Sequence, residues 1–277
     1  MEPAAAGQDR ELPPAGAIES AARRLREARD SRRACAPIRE LIGTSRTADA
    51  YAVQEINTRF WLGTGRRLVG RKIGLTAKSV QRQLGVAEPD YGMLFADMAL
   101  AECDEIPADT LLQPRVEGEI AFCIGRDLTS PQVTMAEIIR SIEYAVAAVE
   151  IVDSRIAGWD IKFADTVADN ASSGMFVLGT EPRQLADFDP KLCGMVLRRR
   201  GEGVSFGAGA ACLGHPLNAT LWLAQTMARV ERPLLAGDIV LSGALGPMVS
   251  AQPGDVFDLQ INGLGEVRVA FSAGSAT

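Results

Sequence analysis

A single histidine, His215, stands in the 277 residues of the chain, and this scarcity removes the commonest general base from most candidate chemistries. A Ser-His-Asp hydrolase needs that histidine beside a nucleophile, yet Ser172 and Ser173 lack the G-x-S-x-G turn that presents one. His215 directly precedes Pro216 at an expected helix start, where capping or packing accounts for it. The five cysteines (Cys35, Cys103, Cys123, Cys193 and Cys212) are odd in number, widely spaced and form no C-x-x-C pair. That pattern argues against a disulfide framework or zinc site and for a reducing, cytoplasmic compartment. Excess positive charge is also missing: 29 Lys and Arg against 35 Asp and Glu leave a net charge of −6. Broad nucleic-acid binding is therefore not expected, and the run Arg198-Arg199-Arg200 reads as a solvated strand end. No apolar run reaches the roughly 18 residues of a membrane span, and no basic-then-apolar signal opens the chain. Gly-Ala-Gly-Ala at 207–210 lacks the spacing of a dinucleotide fingerprint.

What is present is 47% hydrophobic and 23% charged, ordinary for a folded chain. Residues 1–16, rich in Ala, Pro, Gly and charge, read as a disordered tail. A helical region follows over 17–66, with helices expected at 17–34 and 47–63, the latter spacing Ala50, Val53, Ile56, Asn57 and Phe60 near one face. Pro37 and the Gly43-Thr44-Ser45 break separate the two. Over 67–277 the texture changes to short apolar runs punctuated by Gly, Pro and Asp: VGRKIGL, ALAECDEI, EGEIAFCI, GMFVLG, GMVLRR, DIVLSGAL and DLQINGLGEVRVAF. Each reads as strand, with helices expected at 134–148 and 216–230. The fold class is α+β, a β-rich domain behind an N-terminal helical region, and without strict βαβ alternation it is neither a Rossmann fold nor a TIM barrel.

The chemistry gathers on acids. Glu117 and Glu119 lie two apart in RVEGEIAF, and the side-chain period of a strand puts both on one face. Alternating acids commonly face solvent, but the same face continues with Ala121 and Cys123, and the opposite face carries Val116, Ile120, Phe122 and Ile124. Glu150 follows the equally apolar Ala145-Val146-Ala147-Ala148-Val149. Buried acids need partners. If the three converge, a hard divalent cation, Mg²⁺ or Mn²⁺, is the natural neutraliser.

Lys72 shares a strand face with Gly70 and Gly74, so space rather than bulk flanks its ammonium. It is either an edge-strand lysine that blocks aggregation or a confined group that moves a proton or binds a carboxylate. Asp90, between Pro89 and Gly92, reads as part of a tight turn, and Asp165, Asp169 and Asn170 in FADTVADNAS read as loop builders.

The ordered segments GRKIGLTAKSVQRQLGVAEPDYGMLFADM, LQPRVEGEIAF, AAVEIVDSRIAGWDIKFADTVADNASSG, LGHPLNATLWLA and LSGALGPMV strongly resemble the 2-keto-4-pentenoate hydratases of the fumarylacetoacetate hydrolase superfamily. The likeness spans about Ala17 to Ser272. It implies a mixed β-sheet roll, a Mg²⁺ or Mn²⁺ ion held by Glu117, Glu119 and Glu150, and catalytic roles for Lys72 and Asp90. Ser172 and Ser173 of the matching DNAS loop, with Gly243 and Leu245 of SGALGP, become substrate-binding candidates. The implied reaction is hydration of 2-hydroxypenta-2,4-dienoate to 4-hydroxy-2-oxopentanoate in aromatic meta-cleavage catabolism. The implied assembly is a homo-oligomer, associated with the pathway decarboxylase or aldolase. The alternatives are a 4-oxalocrotonate-type decarboxylase on the same framework and a non-catalytic partner of such enzymes.

Overall fold

In the computed structural model, which describes residues 13–44, 46–78, 81–82, 86–102 and 104–274, the N-terminal segment builds its own small apolar cluster. Helix α1 (Ala17–Ser31) buries Ala21, Ala22, Leu25 and Ala28, an i, i+4, i+7 stripe, and stops at Arg32 in a left-handed cap. It ends earlier than position 34, and a short α2 (Arg39–Ile42) fills part of the expected break. Helix α3 (Thr47–Gly63) has the expected bounds, but its inner face is partly polar: Gln54 and Asn57 are buried while Phe60 is exposed. The Gln54 amide explains the exception, donating to Tyr91 O and Val167 O, both at 2.9 Å, and so tying α3 to the β-rich part of the chain. Expectations for the first twelve positions, and for Cys103, lie outside the described residues.

Two sheets follow. The first runs in the order β2 (Asp90–Phe95), β1 (Leu68–Gly74), β10 (Ile239–Leu241), β5 (Arg115–Ile124), β6 (Ile142–Val152), β7 (Ser173–Leu178) and β3 (Ala99–Leu100), with β11 (Val249–Ser250) also on β5. The second runs β4 (Glu105–Ile106), β13 (Gly265–Phe271), β12 (Val256–Ile261), β8 (Gly194–Arg199) and β9 (Glu202–Ala208). Mixed pairing with N-terminal helices on one side bears out the α+β roll. The core lies between the sheets, where the even-numbered face of β5 (Val116, Ile120, Phe122) meets Leu197, Phe257, Leu259 and Val267. A Cβ on Gly118 would run into Leu259 and Met195, so glycine permits the sheets to close at this point. With that face committed to the core, the odd-numbered face, Glu117 and Glu119, is turned toward the functional site.

Several expectations need correction. The helix expected at 134–148 is α4 (Met135–Ser141), opened by a Thr134/Glu137 capping box, and the chain is extended from Ile142 onward. Alanines 145, 147 and 148 favour helix, but β6 pairs with β5 along its length and with β7, so sheet packing overrides local propensity. ALAECDEI is two strands in different sheets. Asp90 opens β2 rather than a turn, since antiparallel pairing with β1 sets Asp90 opposite Gly74. FADTVADNAS is not merely loop: α5 (Phe163–Ala168) occupies its first half. Helix α6 (Pro216–Arg229) matches expectation, and His215 caps it, its Nδ1 accepting from Leu217 N–H at 3.1 Å.

Helix α5 is held to the N-terminal segment by Asp165, whose fully buried carboxylate accepts from Arg39 Nη1 at 2.6 Å, Arg39 N–H at 2.8 Å and Lys162 N–H at 2.8 Å. Asp165→Ala would leave those donors without their charged acceptor. We expect a loss of about 3 kcal/mol in urea unfolding; a change below about 1 kcal/mol would mean that the clamp contributes little.

Candidate active site

Antiparallel pairing of β5 and β6 sets Glu117 directly opposite Glu150 and Glu119 opposite Ala148. Cross-strand partners share a sheet face, so all three carboxylates project to one side. Lys72 of β1 reaches the same place: its Nζ lies 3.1 Å from Glu150 Oε1 and donates to Ala171 O at 3.0 Å. The contact with Glu150 is an ion pair out of hydrogen-bond alignment, and both Glu150 oxygens are buried without a hydrogen-bond donor among the described residues. Glu119 Oε2 accepts the Gly243 N–H at 2.7 Å, a contact for which Gly243 adopts φ 112°, a value reserved for glycine. Asp90 Oδ2 accepts from Thr166 Oγ1 at 3.3 Å, while its Oδ1 is buried and unpartnered. A Cβ at position 74 would strike that Oδ1, so Gly74 is the space in which Asp90 stands beside Lys72. Lys72, Asp90, Glu119 and Glu150 are each at most 4% exposed; Glu117 is half-buried and opens toward solvent.

Burial and crowding govern the charges. Burial, then the neighbouring Glu150, push Glu119 well above the ordinary glutamate range, and the same two causes push Glu117 up to about 7. Burial raises Asp90 as well, against the pull of Lys72. For Lys72, burial disfavours the ammonium, but Glu150, Asp90, Glu117 and Glu119 together outweigh it and hold the group above the ordinary lysine value. A carboxyl whose folded pKa exceeds its unfolded one binds protons more tightly when folded, so stability declines as pH rises through that interval. The Glu117 contribution to metal-free stability should therefore be lost between pH 4.5 and about 7. Differential scanning calorimetry of chelator-treated wild type and Glu117→Gln checks this; a gap between the two midpoints that does not shift in favour of the variant as pH rises across the window would contradict the crowded-carboxylate picture.

Behind Lys72 the backbone is strained. Asn170, Ala171 and Ser172 take φ of 55°, 52° and 54°, three successive left-handed residues without a glycine among them, at about 1–3 kcal/mol each. Surrounding bonds enforce the turn. Asn170 bridges Met93 N–H at 2.7 Å and Met93 O at 2.9 Å, Ser172 O accepts from Asp153 N–H at 2.7 Å, and Ser173 Oγ donates to Asn170 O at 2.8 Å. The result is that the Ala171 carbonyl faces Lys72.

A cavity of about 460 Å³ opens over these groups, within the range of small-molecule sites. Lys72, Asp90, Glu117 and Ser172 border it, with Trp159, Ile161 and Met248 forming an apolar wall. Other sequence candidates lie elsewhere. Ser173 borders a different hollow, Leu245 is fully buried in the core, and Gly243 acts through its N–H on Glu119. Beyond β10 the chain no longer keeps strand alternation, and Ala244 and Gly246 meet the cavity instead of Leu245. Thr166 and Gly74 were missed: a threonine inside a supposed loop and a glycine read only as space beside Lys72 carry no local signal of contact with Asp90.

The three glutamates supply hard oxygen donors, but their oxygens are not gathered on one point. Among the described residues no group of three or more His, Cys, Asp or Glu side chains is placed to hold a metal ion. Glu119 is engaged by Gly243 and Glu150 by Lys72.

A family model described as fumarylacetoacetate (FAA) hydrolase C-terminal matches residues 67–272, from the first strand of the sheet to the end of the last. The chain belongs to the fumarylacetoacetate hydrolase family. Within and beyond that span it is 61% identical over 257 residues to the TodF product hydratase of Pseudomonas putida (strain F1), covering 93% of this chain and 96% of that one. It is 58% identical to 2-keto-4-pentenoate hydratase 1 of Dechloromonas aromatica (strain RCB), covering 92% and 97% of the two chains. Among solved structures of the fumarylacetoacetate hydrolase fold, 4-oxalocrotonate decarboxylase from Pseudomonas putida G7, complexed with magnesium and adipate, superposes with a TM-score of 0.89 at 31% identity, covering 95% of this chain and all of that one. No described helix is long and apolar enough to cross a membrane.

Proposed function

We propose that this chain is a divalent-metal-dependent hydro-lyase that adds water to 2-hydroxypenta-2,4-dienoate, giving 4-hydroxy-2-oxopentanoate. The observation that carries the reading is the near full-length identity of 61% to a hydratase, on a site that combines buried carboxylates with one buried ammonium. The donor set fits Mg²⁺ or Mn²⁺: Glu117, Glu119 and Glu150 are carboxylates on one face, and the buried oxygens of Glu150 accept no hydrogen bond, Oε1 having only the ion pair with Lys72. When bound there, the cation would act as Lewis acid and template for the carboxylate and C2 oxygen of the substrate.

The protein's own groups account for the proton movements. In the first step the C2 hydroxyl loses its proton and C5 gains one, giving 2-oxopent-3-enoate. Asp90, with Oδ1 unpartnered at the cavity, is the proton carrier, and Thr166 fixes its other oxygen. Its raised pKa favours a carboxyl able to cycle between protonated and ionised forms. Water then adds at C4 while C3 is protonated, and the charge that develops on the C2 oxygen is met by the Lys72 ammonium, fixed by Ala171 O. Trp159, Ile161 and Met248 surround the distal carbon with apolar surface.

The test is to incubate purified protein and Mg²⁺ separately with 2-hydroxypenta-2,4-dienoate and 2-oxohex-3-enedioate, identifying products by mass. Gain of water by the first supports the hydratase; loss of CO₂ from the second would assign the chain to decarboxylation instead. No product from either would leave a non-catalytic partner role and overturn the proposal.

A further inference from the structure

The left-handed turn has two sides. Ala171 and Ser172 border the large cavity, whereas Asn170 and Ser173 border a second hollow of about 90 Å³ between α1, α3 and the first sheet. Three arginines, Arg29, Arg66 and Arg155, line it. Arg155 is fully engaged, donating to Asp169 and to the carbonyls of Ser173 and Asp169. Arg66 is not. Its Nε donates to Asp97 Oδ1 at 2.9 Å, but Nη1 and Nη2 are buried and have no hydrogen-bond acceptor among the described residues. Nη2 approaches the same Asp97 oxygen at 2.9 Å, out of line for a hydrogen bond.

The faces of the Arg66 guanidinium are covered, since its centre lies 4.3 Å from the Phe95 ring centroid and 5.1 Å from that of Trp61. What Nη1 and Nη2 lack is an aligned hydrogen-bond acceptor. Arg29 stacks on Trp61 at 5.1 Å from α1 and stands at the exposed mouth. The carboxylates of the wall are already engaged: Asp97 by Arg66, Asp153 by the N–H groups of Leu112 and Gln113, and Asp169 by Arg155. Buried guanidinium N–H groups without an acceptor are costly and rare, and a planar fork of this kind is matched by an oxyanion.

We propose that this hollow binds a small oxyanion, a phosphate or carboxylate group, on Arg66 Nη1 and Nη2, with Arg29 closing the mouth. Its size suits inorganic phosphate or acetate and excludes a nucleotide. A bound anion would brace Asn170 and Ser173 from the side opposite the substrate, joining the N-terminal helices to the catalytic turn.

The test uses the full-length, chelator-treated protein and reads binding rather than turnover, so its outcome is independent of the hydratase reading. Inorganic phosphate and sodium acetate are titrated separately against chloride at matched ionic strength, following Tm and calorimetric heat. We expect one saturable site, at least tenfold weaker in Arg66→Gln and also weaker in Arg29→Gln, an exposed position whose change removes its stack on Trp61 but leaves the Arg66–Asp97 pair in place. The effect should persist in Lys72→Met, which removes the cation of the large cavity. Stronger binding of phosphate or of acetate identifies the source of the oxyanion. The proposal is overturned by no anion-specific effect, by an effect undiminished in both arginine variants, or by one lost in Lys72→Met alone.

Discussion

Glu150→Gln protein should fold, keep its core and lose its response to divalent cations. Glu150 faces Glu117 across the β5–β6 ladder, and neither of its oxygens has a hydrogen-bond donor, so the exchange of one oxygen for an amide nitrogen breaks no protein hydrogen bond. Removing its charge has two opposed effects in the metal-free protein. Repulsion with Glu117 and Glu119 is relieved, while Lys72 loses the carboxylate 3.1 Å from its Nζ. These offset, and the metal-free midpoint should move by only a few degrees. The cation response does not offset. A ligand present at 100 times its Kd stabilises the wild type by about 2.7 kcal/mol, and this increment should vanish in the variant. Mn²⁺ affinity should fall by about a hundredfold or more, beyond what loss of a supporting outer contact causes. Turnover should fall with it. The measurement is Mn²⁺ titration by calorimetry alongside thermal denaturation; a variant that binds one Mn²⁺ per chain as tightly as wild type would remove Glu150 from the proposed ligand set.

The acids were legible because the strand period needs no tertiary information: two glutamates two apart in an apolar run must share a face, and a further acid in a second apolar run must find a partner. Their convergence was not legible, for it depends on the register that brings Glu117 opposite Glu150. The same limit explains Asp90. Its neighbours Pro89 and Gly92 carry turn chemistry, yet long-range pairing with Gly74 makes the residue the start of a strand. The Ala-rich run before Glu150 favours helix locally, and sheet pairing on both edges decides otherwise. Leu245 entered as a candidate through the resemblance of SGALGP to a substrate-facing turn, and a resemblance does not say which side chains of a turn face the cavity: Leu245 is fully buried in the core. Three consecutive left-handed residues at 170–172 oppose local preference; bonds from Lys72, Met93, Asp153 and Ser173, all from outside the three, hold them. The unmatched guanidinium of Arg66 has no sequence signature, because it arises from two aromatic rings and one aspartate brought together from separate elements.

Lys72→Met separates the two roles of the buried ammonium, and its expected result is a split between stability and activity. In the metal-free protein the ammonium compensates Glu150 and satisfies Ala171 O. Its loss leaves a buried carboxylate with no cation and a strained carbonyl with no donor, which should destabilise the fold by about 3 kcal/mol. Addition of Mn²⁺ should recover most of that, because the cation takes over the compensation and no ammonium competes for Glu150. Affinity for Mn²⁺ should therefore equal or exceed that of wild type, the opposite of Glu150→Gln. Turnover should not recover. Among the described residues no other side chain can join the cation in stabilising charge at the C2 oxygen, so kcat should fall by about 10²- to 10³-fold with the metal site full. Lys72→Arg should not rescue it: the guanidinium is planar and longer, and the ammonium's space is limited by Asp90, Glu150 and the rigid turn at Ala171. Metal-loaded Lys72→Met turning over at near wild-type rate would show that the cation alone carries the developing charge, and would reduce the lysine to a counterion of Glu150.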